Sequence, residues 1–516
     1  MKKVVLSAMA LAMGSFVMAQ DNDSKVSQNG SHNNTTVNQD GDAQRSVVRI
    51  GGNYNTSTLE QDGIGNNSVL EISANSANNN SADIKQNGTT NNATVDISGH
   101  HNSVDVKQNG TSNNTGSSSG SIYFADPQAV DIWGNNNSST VNQNGAENEG
   151  FITVGKRRTG PNPGEEGENA NYNTSTIKQN GNENLAFINV LGGGDNNTAT
   201  TNQSGNNDKS TTNQSGDYNE ATAKQMSATG SDESIIDQSG NNNTANANQD
   251  SDLSFSDINQ SGNANMATVN QKDGAIESSS IISQSGHNNE ATTNQDGTGN
   301  GENNKSNISQ SGNYNSALLN QVGNLVKHNT SNIDQSGDNN EAKVKQNAVR
   351  HSSSIVTQSG NHNGAFVNQV ADGPRILNNH SDIDQSGNNN MAYVDQIGSV
   401  NNSEVGQAGS YGHVDVNQKF KGNDSKVFQN SGSTNSAIVN QKNTPLVANP
   451  LKNYSTVIQD GNHNQATLNQ SGHDLTSIIS QDGNHNMANA KQMGVGHNSD
   501  ISQIGNNNVA NIMQAD

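Results

Sequence analysis

The side chains that recur at fixed spacing in this chain are amides. Glutamines stand at 459, 470, 481, 492, 503 and 514, each eleven residues from the next. An amide is neither acid, base nor nucleophile, but it donates and accepts hydrogen bonds at once. Chemistry of that kind joins like to like; it does not turn over a substrate. The reactive residue types offer nothing comparable. His463 and His485 occupy equivalent positions with no third ligand recurring beside them, so they read as solvated turn residues and no metal is expected. GGGDNN at 192–197 resembles one fragment of a calcium-binding nonapeptide repeat but occurs once. Lys156-Arg157-Arg158 reads as a solvated loop or, more sharply, as a docking contact for an acidic partner. Ser, His and Asp are abundant, yet no spacing holds a nucleophile beside a base. No catalytic residue, enzyme activity or cofactor is therefore expected.

The elements that must position these amides follow from the repeat. STVIQDGNHNQATLNQ, SIISQDGNHNMANAKQ and SDISQIGNNNVANIMQ start at Ser455, Ser477 and Ser499, so the period is 22 residues in two unequal arms. A fixed period of this length marks a repeat architecture. Ser455, Val457 and Gln459 alternate and share one face of an extended strand, as do Asn464, Ala466, Leu468 and Gln470. The equivalent inward sets are Ser477, Ile479, Gln481 with Asn486, Ala488, Gln492, and Ser499, Ile501, Gln503 with Asn508, Ala510, Gln514. Turns fall at Gly461, Gly483 and Gly505, among Asp, Asn and His residues that tolerate turn dihedrals. Eleven is odd, so an unbroken strand would send successive glutamines to opposite faces. A turn between the arms turns both faces inward. Charges sit on the outward positions, as with Lys343 and Lys345 or Asp382 and Asp384, and essentially none lies on the inward face.

One such arch buries too little to order itself, because each fixed residue costs about 1–2 kcal/mol of backbone entropy. Stacking changes the balance: each strand pairs with its copy about 4.8 Å above and below, and Asn and Gln ladders add amide-to-amide bonds. The expected fold is all-β, a two-sheet β-solenoid of about nineteen strand-turn-strand repeats in cross-β stacking, a rod roughly 90 Å long. An antiparallel hairpin meander is the competing topology, and it leaves the 22-residue identity unexplained.

Taken in order, residues 1–19 read as a secretory signal peptide: Lys2 and Lys3, an apolar run from Val4 to Val17, and a small-residue cleavage pattern ending at Ala19. Residues 20–190 read as a variant region with insertions at about 111–137 and 155–174. There Gln61 is taken as a first-arm glutamine and Ile72 as standing where the second would be, with the same replacement at Ile97, Val154 and Val190. Residues 191–516 read as regular repeats with short insertions at 370–380 and 442–453. At Gln203, Gln214 and Gln225 three arms follow in a row, and the arm assignment slips. All six prolines lie in the insertions, where no ladder hydrogen bond is lost.

Composition agrees with this reading. Only 28% of the chain is hydrophobic and 3% aromatic, too little for a layered enzyme core. A net charge of −22 and the absence of a basic stripe exclude nucleic acid as a partner. There is no cysteine to form disulfides or thiolate metal sites, and no apolar run of membrane-spanning length. The carboxyl-terminal repeat runs to Gln514, so the last rung is expected to be uncapped.

SSIVTQSGNHNGAFVNQ at 353–369 and HSDIDQSGNNNMAYVDQ at 380–396 follow Ser-x5-Gln-x-Gly-x2-Asn-x-Ala-x3-Gln, with one residue of looseness in the first gap. This pattern resembles the curlin repeat of bacterial curli fibres, and the resemblance covers nearly the whole chain beyond the signal peptide. It implies a subunit secreted through an outer-membrane export channel of a Gram-negative type bacterium and nucleated at the cell surface by a second subunit. It further implies assembly with copies of itself into extracellular amyloid fibres for biofilm matrix and adhesion. Curlin subunits typically carry far fewer repeats and lack such insertions. Repeat number and uniformity favour a major subunit over a nucleator. A monomeric extracellular β-solenoid adhesin, using its insertions as recognition loops, is the alternative.

Overall fold

The computed structural model describes residues 21–72, 77–115, 129–155, 169–227, 230–272, 274–297, 301–323, 326–371, 378–443 and 451–516. Residues 1–19, read above as a signal peptide, Lys156-Arg157-Arg158 and all six prolines lie outside them. Successive strands alternate between two parallel sheets, from Asp23–Asn29 and Asn34–Asp42 at one end to Asn498–Ile504 and Val509–Ala515 at the other. Each strand pairs with its counterpart one repeat away. Ser455 lies beside Ser477 and then Ser499, and Gln459 beside Gln481 and then Gln503. In the facing sheet Ala466, Ala488 and Ala510 line up, as do Gln470, Gln492 and Gln514. The fold is a two-sheet β-solenoid, and the parallel pairing excludes the hairpin meander.

Among the described residues each sheet is twenty rungs deep. The first has 21 strands, but Asn114–Thr115 and Val130–Trp133 share a rung, both pairing with Asn92–Ser98 and with Glu149–Val154. The extra rung over a count by first-arm glutamines has a definite origin. Gln61, Gln86, Gln108, Gln143 and Gln179 belong to the second sheet, in register with Gln39 on one side and Gln203 on the other. Ile72, Ile97, Val154 and Val190 occupy the first sheet, together with Ile50 and Ile132. The apolar arm of the amino-terminal third is thus the first arm, not the second. The arms do not slip at Gln203, Gln214 and Gln225, which fall in the second, first and second sheets like any three successive strands. The assignment misleads in sequence because second-sheet strands such as TSTIKQ carry the Ser-x-apolar-x-Gln pattern that marks the first arm elsewhere.

The insertions are shorter than their sequence limits. Thr111 still belongs to Ser103–Thr111, Thr174 opens Thr174–Asn182, His380 opens His380–Gln385 and Asn453 opens Asn453–Asp460. Two excursions also stack on each other: Ala275–Ile276 pairs with Gly301–Glu302, and Glu302, Lys327 and Arg350 continue the bridge.

The corners are tight. His463, His485 and Asn507 take φ near +57° to +59°, and Gly461, Gly483 and Gly505 take φ of +97°, +123° and +101°. A Cβ on Gly483 would stand 2.1 Å from the Gly505 carbonyl oxygen, so both the dihedral and the close stacking require glycine there.

Candidate functional site

Between the sheets runs the amide seam. In the second sheet it is unbroken from Gln39 to Gln514: each Nε2 donates to the Oε1 of the next glutamine, always toward the higher-numbered rung. Gln470 donates to Gln492 at 3.0 Å and Gln492 to Gln514 at 2.9 Å. The first sheet has the same ladder from Gln214 to Gln503, where Gln459 donates to Gln481 at 2.9 Å and Gln481 to Gln503 at 2.8 Å. The second Nε2 proton crosses the core: Gln481 donates to the Gln465 carbonyl at 3.0 Å and Gln470 to that of Tyr454 at 2.9 Å. The glutamines therefore tie rung to rung and sheet to sheet.

Asparagines make a parallel ladder at the corner. The Asn486 N–H donates to Asn464 Oδ1 and the Asn508 N–H to Asn486 Oδ1, both at 3.0 Å. Asn464 Nδ2 donates onward to the Gly483 carbonyl and Asn486 Nδ2 to that of Gly505. Asn508, in the last rung, turns its amide back to Asn486 Oδ1 and to the Ile504 carbonyl.

Ser455, Val457, Ala466, Leu468, Ser477, Ile479, Ala488, Ser499 and Ile501 are buried, whereas Asn508, Ala510 and Gln514 are partly open. Ala490 and Ile512 complete the apolar column of Leu468. Their register with Leu468 was the available signal. A second corner ladder, through Asn91, Asn113, Asn148 and Asn184, also lies outside the sequence pattern read above. Its signal is the Asn or Asp just ahead of many first-sheet strands, as at Asn91, Asn148, Asn184 and Asp208.

The other candidates behave as ordinary corner or surface groups. The rings of His463 and His485 sit 4.8 Å apart and tilted by 51°. No group of three or more His, Cys, Asp or Glu able to hold a metal occurs among the described residues. In GGGDNN, Asn197 Nδ2 donates to the Gly216 carbonyl at 2.8 Å as a member of the corner ladder, and Asp195 Oδ1 accepts the Asn171 N–H at 2.7 Å in a neighbouring turn column.

At the two ends, strand edges are unpaired among the described residues. Asp23–Asn29 and Asn34–Asp42 pair only inward, and so do Asn498–Ile504 and Val509–Ala515. The last rung exposes Ile504, Val509 and Met513, by 66–80%.

Stacked parallel rungs of 22 residues, joined by a buried amide seam, are matched by a known repeat. The model of the curlin associated repeat fits three segments, residues 77–116, 378–409 and 453–483. This is a curlin-like protein of many repeats. The matched segments include both the apolar first-sheet strand Asn92–Ser98 and the amide-bearing strands His380–Gln385 and Asn453–Asp460. The repeat is a structural one, not a catalytic one. No curated protein matches the chain, and no helix among the described residues is long and apolar enough to cross a membrane.

Proposed function

We propose that the chain is a secreted structural protein that polymerises end to end into an extracellular cross-β fibre serving matrix and adhesion. The observation that carries this reading is the pair of open end rungs. Exposed strand edges of this kind template pairing with another chain. Setting the last rung of one copy against the first of the next, in the same parallel register, continues every column. Ser499 meets Ser24, Ile501 meets Val26, Gln503 meets Gln28 and Gln514 meets Gln39. Outside, Asp500 meets Lys25, an opposite-charge pair. The resemblance to curlins adds a nucleating subunit and an outer-membrane export channel as partners, with residues 1–19 as the export leader.

Purified mature protein should form thioflavin-positive fibres with a reflection near the roughly 4.8 Å strand spacing. Protein that stays monomeric with neither signal overturns the reading. Lys25→Glu should slow seeded elongation by roughly two- to fivefold, and adding Asp500→Lys in the same chain should restore it.

A further inference from the structure

The apolar core is not continuous along the rod. One cluster of buried hydrophobic side chains runs from Val48 to Ala199 and a second from Ala221 to Ile501. At the break, Thr201 replaces the Ile177 of the rung before it, and Thr212 stands between Ile188 and Ile236. The Thr212 hydroxyl, although buried, has no partner. The first-sheet seam also changes here from Val190 to Gln214, and Gln214 Oε1 is left without a donor because valine has none.

The same rungs carry two buried carboxyl groups. Asp208 and Asp232 are 0% and 1% exposed and take successive places in the second corner ladder. The Asp208 N–H donates to Asn184 Oδ1, the Asp232 N–H to Asp208 Oδ1, and the Ser254 N–H to Asp232 Oδ1. So Oδ1 does the work of an asparagine oxygen at each position. In the rungs before them, Asn113, Asn148 and Asn184 each donate Nδ2 to a glycine carbonyl of the next rung, at 2.8–3.0 Å. Asp208 and Asp232 have an oxygen, Oδ2, in place of that donor, and it is unpartnered in both. By register the carbonyls opposite belong to Ser227 and Ser251. A carboxylate there sets negative oxygen against carbonyl oxygen; a carboxylic acid supplies the missing O–H.

We propose that this corner is a proton-operated joint. With Asp208 and Asp232 protonated it closes and the two apolar cores act as one rod; with both ionised the rungs from Thr198 to Ser239 loosen and the halves decouple. Burial and nearby carboxylates favour the proton and outweigh the backbone N–H groups of Asp232, Gly205 and Ser231 at Asp208 and of Ser254 at Asp232, which favour the carboxylate. Asp252, whose carboxylate takes the Ser227 hydroxyl, and Asp250 add negative charge nearby. The neighbouring cation, Lys209, is engaged outside with Glu233 at 2.8 Å. Burial, the largest cause, pushes the carboxyl of Asp208 up to about 6 and that of Asp232 to about 7. Both lie above the unfolded value of 3.8. The stabilisation is therefore complete below that value and is lost as pH rises through 6 and 7.

Hydrogen exchange on the full mature chain, corrected for intrinsic rates, tests this at pH 5 and pH 8. Protection over 198–239 should fall about tenfold or more at pH 8, while that over 455–503 holds. In the Asp208→Asn, Asp232→Asn double variant the amide supplies the donor at every pH, and the drop should vanish. Equal protection of 198–239 at both pH values in the wild type, or an equal loss in the double variant, overturns the joint.

Discussion

Gln481 shows what one residue does in this molecule. Its amide takes a proton from Gln459 and gives its own to Gln503 and to the Gln465 carbonyl, in a site 1% exposed. Gln481→Ala strands a buried donor on one side and a buried acceptor on the other, at about 1–3 kcal/mol each. We expect a loss of about 2–4 kcal/mol in denaturant unfolding, allowing for partial relaxation. Gln503→Ala removes an acceptor within the chain and the group that faces the next copy. It should cost less stability yet slow seeded elongation, and unaltered growth from such seeds would count against end-to-end assembly. The inward glutamines, serines and apolar residues were legible from alternation alone, because a period of two assigns a face without further information. Asp208 and Asp232 were not. They lie at a corner, where alternation stops, and only the stacked partner reveals that their oxygens are buried.

At the scale of the strand, existence and face were readable and phase was not. Both arms end in an apolar residue, a spacer and a glutamine, so local sequence does not say which sheet TSTIKQ joins. Pairing decides it, since Gln179 must meet Gln143 and Gln203 to satisfy its amide. In the strand Lys209–Ser215 the inward Ser210, Thr212 and Gln214 offer no aliphatic side chain to either neighbour. Thr212→Val keeps the shape, removes an unpartnered hydroxyl and joins Ile188 to Ile236. It should raise stability by about 1 kcal/mol, read as a higher unfolding midpoint; a lower midpoint would show that the hydroxyl has a role here.

For the whole molecule, two terms oppose each other. Open rungs at both ends favour growth, and a net charge of −22 opposes the approach of another copy. The outward aspartates 237, 257, 334 and 384 supply part of that charge, and each lies between two uncharged residues in its column. Asp237 lies between Asn213 and Asn259 and already accepts from Asn213 at 2.6 Å. Replacing all four by Asn keeps hydrogen bonding available and removes four charges. The lag before fibres appear should shorten by roughly twofold or more, and more at low salt than at high. A lag unchanged at both ionic strengths would remove these residues from control of assembly.

The direction of the glutamine bonds has a consequence at the ends. Every glutamine-to-glutamine bond of the two ladders points its N–H toward the carboxyl-terminal end, so these side-chain amide dipoles add instead of cancelling, as peptide dipoles do along a helix. The glutamine seam is therefore electrically polar along its length: it ends in a side-chain carbonyl oxygen at the Gln39 tip and in a side-chain N–H at the Gln514 tip. The two tips of a growing filament are then different chemical surfaces, and they will not accept or release subunits at the same rate.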